Sequence, residues 1–166
     1  MRLPPQLKGL DGLIIPGGES TTILNLMKCF NLFHPVKQMI EGGVPVWGTC
    51  AGMICLAKRI IDANGLNLEP LGVMDIEVKR NAFGRQVDSF EVDLQISVLG
   101  QKPFHAVFIR APLISKVEPA VEVMARLHDG TIVASRQNNM LVTSFHPELT
   151  NDARLHEYFL NVVRKS

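Results

Sequence analysis

One cysteine set between two glycines, at the junction of an apolar run and an amphipathic run, constrains this chain more than any other stretch. Val46-Trp47-Gly48-Thr49-Cys50-Ala51-Gly52 follows Pro45. The run over 44–47 reads as a buried strand. The run over 51–61 reads as a helix, with Met53, Ile54, Ala57, Ile60 and Ile61 recurring at helical spacing. A strand that turns directly into a helix bends sharply, and glycine tolerates the crowding and unusual dihedrals on either side. The apical residue is expected to stand clear of the sheet at the positive end of a helix. There a thiol ionises more readily, and the thiolate is the form that attacks carbonyls. This is the cysteine form of a nucleophile elbow. A free cysteine packed as a small buried hydrophobe fits the same stretch, so the companions of Cys50 decide between the two.

Upstream, 12–15 is a short apolar run that stops at Pro16-Gly17-Gly18, as a buried parallel strand does. Glu19-Ser20-Thr21-Thr22 leads into a helix carrying Ile23, Leu24, Leu26 and Met27, with Ser20 or Thr21 as its N-cap. A second short helix is expected over 36–41. Downstream, 63–70 reads as loop, 73–78 and 87–94 as alternating, half-exposed strands that neighbour each other antiparallel, and 79–86 as the polar loop between them. Further strands are expected at 106–109, 122–127, 131–135 and 141–145, and a C-terminal helix starts near Asn151-Asp152 with Leu155, Phe159, Val162 and Val163 on one face. Strand–helix alternation early and antiparallel strands later predict an α/β sandwich with a mixed sheet. In such sheets sites form at the carboxyl ends of strands. The 17–20 stretch, the Cys50 elbow and His146-Pro147-Glu148 all fall at such ends.

His146 directly follows an apolar strand and Glu148 lies two residues on. Side chains at i and i+2 of an extended segment point the same way, and Pro147 stiffens it. A carboxylate so placed orients the imidazole, which takes a proton from a thiol and returns it to a leaving amine. A strand-end turn that merely contains a histidine is the plain alternative. Gly18, after its strand, and Ala51, after the nucleophile, offer backbone N–H groups for an oxyanion hole. Arg80 and Arg110 sit in loops flanking these strand ends and suit bidentate binding of a carboxylate, with solvated surface arginines as the alternative. His34, His105, His128 and His156 have no comparable neighbours and read as structural or exposed. Taken together, the residues read as a cysteine hydrolase or acyl-transfer enzyme acting on a small carbonyl compound.

Composition removes other classes. At 166 residues the chain suits one domain, and a net charge of +1 with scattered basic residues argues against nucleic-acid or membrane-surface binding. The odd cysteine count, Cys29, Cys50 and Cys55, favours a reducing interior over a disulfide framework. With no signal-type h-region at the start and no long unbroken apolar run, a soluble, cytoplasmic protein is expected.

Five stretches carry a resemblance. Pro16-Gly17-Gly18-Glu19-Ser20-Thr21-Thr22, Trp47-Gly48-Thr49-Cys50-Ala51-Gly52, Arg80-Asn81-Ala82-Phe83-Gly84-Arg85-Gln86, Phe108-Ile109-Arg110-Ala111-Pro112 and Ser144-Phe145-His146-Pro147-Glu148-Leu149 resemble the glutaminase subunits of pyridoxal 5′-phosphate synthase, the PdxT and Sno family. The elbow cysteine and the His-x-Glu pair are shared by class I glutamine amidotransferases, and the other stretches are more particular to the vitamin B6 branch. The resemblance implies a three-layer, flavodoxin-like sandwich with a mixed, mainly parallel central sheet. It implies that Cys50 attacks the side-chain amide of L-glutamine, with His146 as general base and acid and Glu148 as its orienting carboxylate. Gly18, Glu19, Ser20, Arg80, Ile109 and Arg110 match the family's glutamine-binding positions. No cofactor or metal is implied. The implied partner is a barrel-shaped synthase subunit of the PdxS or Snz type, which receives the ammonia, and the glutaminase is weakly active or silent until docked. Two other readings stand beside it: another class I amidotransferase or γ-glutamyl hydrolase, and a catalytically impaired regulatory subunit. Family members begin with a strand, a helix and a second strand ahead of the segment matching 3–10. The chain is therefore expected to be a single glutaminase domain over 1–166 without those elements, with unpaired strand edges and apolar faces exposed.

Overall fold

The computed structural model describes residues 3–61, 65, 68–80 and 89–166. Short apolar runs bounded by glycine or proline form its centre. β1 (Leu13–Ile15) pairs parallel with β2 (Val46–Thr49), and β2 pairs parallel with β10 (Met140–Thr143). Antiparallel partners continue the sheet from β10 through β9 (Ile132–Gln137), β7 (Leu113–Val117) and β4 (Met74–Lys79). β3 (Ala57–Ile61) closes it parallel to β4, and β8 (Glu122–Arg126) adds to β9. β5 (Ser89–Leu94) and β6 (Phe104–Ile109) form a separate antiparallel pair. The helices are α1 (Ser20–Cys29), α2 (Phe33–Glu41), α3 (Ala51–Leu56) and α4 (Arg154–Val163).

Alternation along the central strands splits the interior into two cores. Val46 and Val142 point into one, with Ile15, Leu24, Val36 and Met53 from the side of α1, α2 and α3. Trp47 and Leu141 point into the other, with Phe145, Leu155 and Phe159 and the inner face of β5–β6. A strand buried on both faces must be apolar at successive positions, which is why these runs do not alternate with polar residues. The result is a three-layer α/β sandwich on a mixed sheet, as expected.

Several local expectations are corrected. The helix over 51–61 ends at Leu56, and Ala57–Ile61 is a strand paired parallel with β4, the next strand in the chain. Ile60 and Ile61 fit a helical repeat, but β-branched side chains suit a strand equally and the pairing decides. The alternating strands near 73–78 and 87–94 are not neighbours: β4 lies between β3 and β7, whereas β5 pairs with β6. Both have the same period, and period alone does not name a partner. β7 has no counterpart among the predicted strands. α2 starts at Phe33, three residues earlier than expected, because Pro35 is accepted in a first helical turn. Residues 4–7 form a 3-10 turn. α4 begins at Arg154, after a turn built on Asp152. Residues 81–86 of the polar loop, 87–88 of the following strand, and 62–64, 66 and 67 near the first loop lie outside the described residues.

β1 stands at the edge of the sheet. Beside it Ile14, Leu26 and Phe30 are exposed and share an apolar groove with Ile23 and Met27. No helix among the described residues is long and apolar enough to cross a membrane.

Candidate active site

The elbow forms where α3 packs back across β2 and β1. A Cβ on Gly52 would lie 1.9 Å from the Ile15 carbonyl oxygen, and one on Gly48 would lie 2.6 Å from the Gly52 backbone. These glycines are therefore required by backbone contact. The unusual dihedrals belong to Cys50 itself, at φ 49° and ψ −108°, a region a non-glycine residue holds only when its surroundings fix it. They do: the Cys50 amide donates to the Thr143 carbonyl at the end of β10, at 2.8 Å.

The thiol does not stand clear of the sheet. Cys50 is 6% exposed, and its Sγ donates to the Ile109 carbonyl at 3.9 Å. Burial pushes its pKa up to about 11; the Ala51 amide lowers it, the Glu148 carboxylate raises it and the Arg110 guanidinium lowers it, each by less. The expected acidic thiol is thus corrected: burial makes Cys50 a weaker acid than a free thiol. A helix of six residues has little dipole to oppose the loss of hydration.

β10 leads past Ser144 and Phe145 to His146. Phe145 is fully buried against Phe104 and Phe108. The His146 amide donates to the Val107 carbonyl of β6 at 2.8 Å, so backbone and side-chain packing both fix where the imidazole begins. Its Nδ1 lies 2.8 Å from Glu148 Oε1. The pair meets for a different reason than the extended geometry predicted, because Pro147–Leu149 is a 3-10 turn that brings the carboxylate back to the ring. Gly17 makes room for the imidazole. A Cβ there would lie 2.5 Å from His146 Cε1 and 3.5 Å from the Cys50 Cβ, so both side chains border the same small space.

Around that space a cleft of about 430 Å³ opens, and every predicted site residue except Glu148 lines it. Glu148 stands behind the imidazole. Glu19, not Ser20 or Thr21, caps α1, accepting from the Thr21 amide at 3.3 Å and the Thr21 Oγ1 at 3.0 Å. The same carboxylate oxygen accepts from Arg80 Nη2 at 2.9 Å, and the Arg80 side chain is only 8% exposed. The Ser20 hydroxyl is buried without a hydrogen-bond partner among the described residues, an arrangement that calls for a ligand or water. Arg110 follows β6 with φ 43° and lines the cleft beside Ile109. Gly18 and Ala51 also line the cleft. The cleft thus offers a sulfur nucleophile, an oriented imidazole, two guanidinium groups and a carboxylate, suited to a small zwitterion with a reactive carbonyl.

Two lining residues, Ile54 and Pro112, went unassigned in the sequence reading. Ile54 was legible as the residue one helical turn after Cys50, and Pro112 lies within the Ile-Arg-Ala-Pro stretch. His105 has the carboxylate neighbours it was said to lack: Asp93 and Glu91 each lie 2.9 Å from a ring nitrogen and raise its pKa, Asp93 the more. Those three side chains are exposed on β5–β6, outside the cleft. Among the described residues no group of three His, Cys, Asp or Glu side chains is placed to hold a metal ion.

The SNO glutamine amidotransferase family matches residues 1–165. A pyridoxal 5′-phosphate synthase subunit PdxT from Herpetosiphon aurantiacus is 60% identical over 98% of this chain and 85% of its own length. A PdxT from Moorella thermoacetica is 61% identical over 95% of this chain and 82% of its own length. A crystal structure of a glutamine amidotransferase superposes with a TM-score of 0.90 at 47% identity, covering 99% of this chain and 85% of that one. With its elbow cysteine, its His-x-Glu turn and a matching profile along almost its whole length, this chain belongs to the SNO glutamine amidotransferase family.

Proposed function

We propose that this protein is a glutaminase that hydrolyses L-glutamine to L-glutamate and ammonia, in the cytoplasm, for a pyridoxal 5′-phosphate synthase. The observation that carries the reading is the meeting of Cys50, the His146–Glu148 pair and the Glu19–Arg80 pair at one cleft. Arg80 and Arg110 suit the α-carboxylate of glutamine, Glu19 its α-ammonium, and the Ser20 hydroxyl supplies a further polar contact. Gly18 and Ile109 complete the walls. The side-chain amide then lies at Cys50. His146 takes the thiol proton as Sγ bonds to the amide carbon, and the N–H groups of Ala51 and Gly18 receive the oxyanion. His146 returns the proton to the departing nitrogen, ammonia leaves and a γ-glutamyl thioester remains. Water, deprotonated by the same imidazole, attacks the thioester and restores the thiol with release of glutamate. Glu148 keeps the imidazole oriented through both steps.

The resting thiol favours low activity for the isolated chain. Its pKa is pushed up to about 11 and it faces a carbonyl, so a partner that reshapes this wall of the cleft raises the rate. The names of the PdxT relatives, each a subunit of a pyridoxal 5′-phosphate synthase, support another subunit of that synthase in this role, and the family resemblance implies one of the PdxS type. The test is glutamate release from glutamine with and without such a subunit. Wild-type chain with partner is expected to turn over, and Cys50→Ser to lose at least about a thousandfold of the rate. Equal rates for the two would overturn the assignment. Glutamine binding without turnover, even with partner, would favour the impaired regulatory reading.

A further inference from the structure

We propose that Arg154, acting with Asp152 and Thr150, is the clamp that positions the His146–Glu148 pair; the proposal rests on the glutaminase reading above. Glu148 sits on a three-residue turn with its side chain 47% exposed, so little packing holds it against the imidazole. Hydrogen bonds hold the turn instead. The Thr150 hydroxyl donates to the Pro147 carbonyl at 3.1 Å and itself accepts from the Asp152 amide at 3.3 Å. The Asp152 carboxylate accepts from the Arg154 amide at 3.1 Å, from its Nε at 3.0 Å and from its Nη2.

The same guanidinium reaches the other wall of the site. Nη1 donates to the carbonyls of Leu99 and Lys102 at 3.2 and 2.8 Å, and Nη2 donates to that of Pro103 at 2.9 Å. These carbonyls belong to the segment that feeds β6. β6 in turn supplies the Val107 carbonyl that takes the His146 amide and the Ile109 carbonyl that faces the Cys50 thiol. The guanidinium also lies 5.9 Å over the Phe104 ring, and Phe104 packs against Phe145, the residue before His146. One planar fork therefore registers the turn carrying the carboxylate against the strand that holds the imidazole and the thiol. A half-buried Asp–Arg pair two residues apart would contribute little by itself. Three backbone carbonyls on a distant segment make this a different object, and lysine cannot reproduce it because it lacks the fork. Arg154 does not line the cleft, so it acts through Glu148 and His146.

The test is a double-mutant cycle on glutamate release, with the synthase subunit present. Thr150→Val, and separately Arg154→Lys, are expected to lower kcat about tenfold while leaving KM for glutamine within about twofold, since the glutamine-holding residues are untouched. In a Glu148→Ala background neither substitution is expected to lower kcat further. Equal losses in both backgrounds, or a change in KM alone, would overturn the clamp. Should Arg154→Lys fail to fold, Thr150→Val, which keeps the side-chain shape, decides. If the wild-type chain releases no glutamate with partner, the glutaminase reading fails on its own. The clamp is then read from iodoacetamide capture of Cys50, followed by peptide mass mapping. Slower capture in Thr150→Val than in wild type, and equal capture in the two Glu148→Ala forms, supports it; equal capture in wild type and Thr150→Val overturns it.

Discussion

At the scale of single residues, the position that most restricts the site has no side chain. Gly17 leaves the space into which the His146 ring projects, with the Cys50 Cβ on its far side. Gly17→Ala is expected to push the imidazole away from its place. The fall in kcat should be about a hundredfold, because a shift of about 1 Å in a reacting group is costly. Circular dichroism and thermal melting should change little, since the ring borders an open cleft and can move into it. Unchanged kcat would show that the imidazole is not where the reaction needs it. Cys50 and His146 themselves were legible in the sequence, because a glycine-flanked cysteine and a His-x-Glu turn each stand at a strand end. The state of the thiol was not legible. It depends on how deeply the sulfur is buried by β6, a strand more than fifty residues along the chain. Arg154 was hidden for a similar reason: its carbonyl partners Leu99, Lys102 and Pro103 are also distant in sequence.

At the scale of elements, the elbow is a close approach of three pieces of backbone. α3 lies so near β1 and β2 that Gly48 meets Gly52, and Gly52 meets the carbonyl of Ile15. Gly52→Ala would drive a methyl group into that carbonyl, and no flexible side chain is available to yield. Equilibrium unfolding should show a loss of more than about 3 kcal/mol, or no folded protein at all. A loss below about 1 kcal/mol would contradict the packing of α3 on β1 described here. The same region marks where sequence reading stopped. Strand, turn and helix start were legible from 44 to 56. The switch to β3 at Ala57 was not, because its cause is pairing with β4 and not anything local to Lys58-Arg59-Ile60-Ile61. The β5–β6 pair was misplaced on the same grounds: alternation names a half-exposed strand and leaves its partner open.

At the scale of the whole molecule, the two buried thiols, Cys50 at the elbow and Cys55 in α3, tie stability to pH. Burial raises Cys50 to about 11 and Cys55 to about 12, against an ordinary value of 9.0. Above pH 9 the unfolded chain loses these protons while the folded chain keeps them, so the unfolded state binds fewer protons and folding stability falls as pH rises. The slope should approach about 1.4 kcal/mol per pH unit for each thiol between that pH and the folded values. Denaturant unfolding at a series of pH values should show the decline, and Cys55→Ala should make it shallower even though it lowers stability at neutral pH. A flat profile would mean that the thiols are not buried as described. The overall architecture was legible because short apolar runs at 12–15, 44–47 and 141–145, each ended by a polar or glycine-rich stretch, alternate with helical patterns. Cys50 Sγ, the proposed nucleophile of glutamine hydrolysis, is open to direct observation. The measurement that bears on it most directly is acid-quenched peptide mass mapping of the chain during turnover of glutamine with the synthase subunit. The γ-glutamyl thioester is predicted on Cys50 alone, absent in Cys50→Ser and formed more slowly in His146→Ala. Turnover with no adduct on Cys50, or with the adduct on Cys29 or Cys55, would contradict the account.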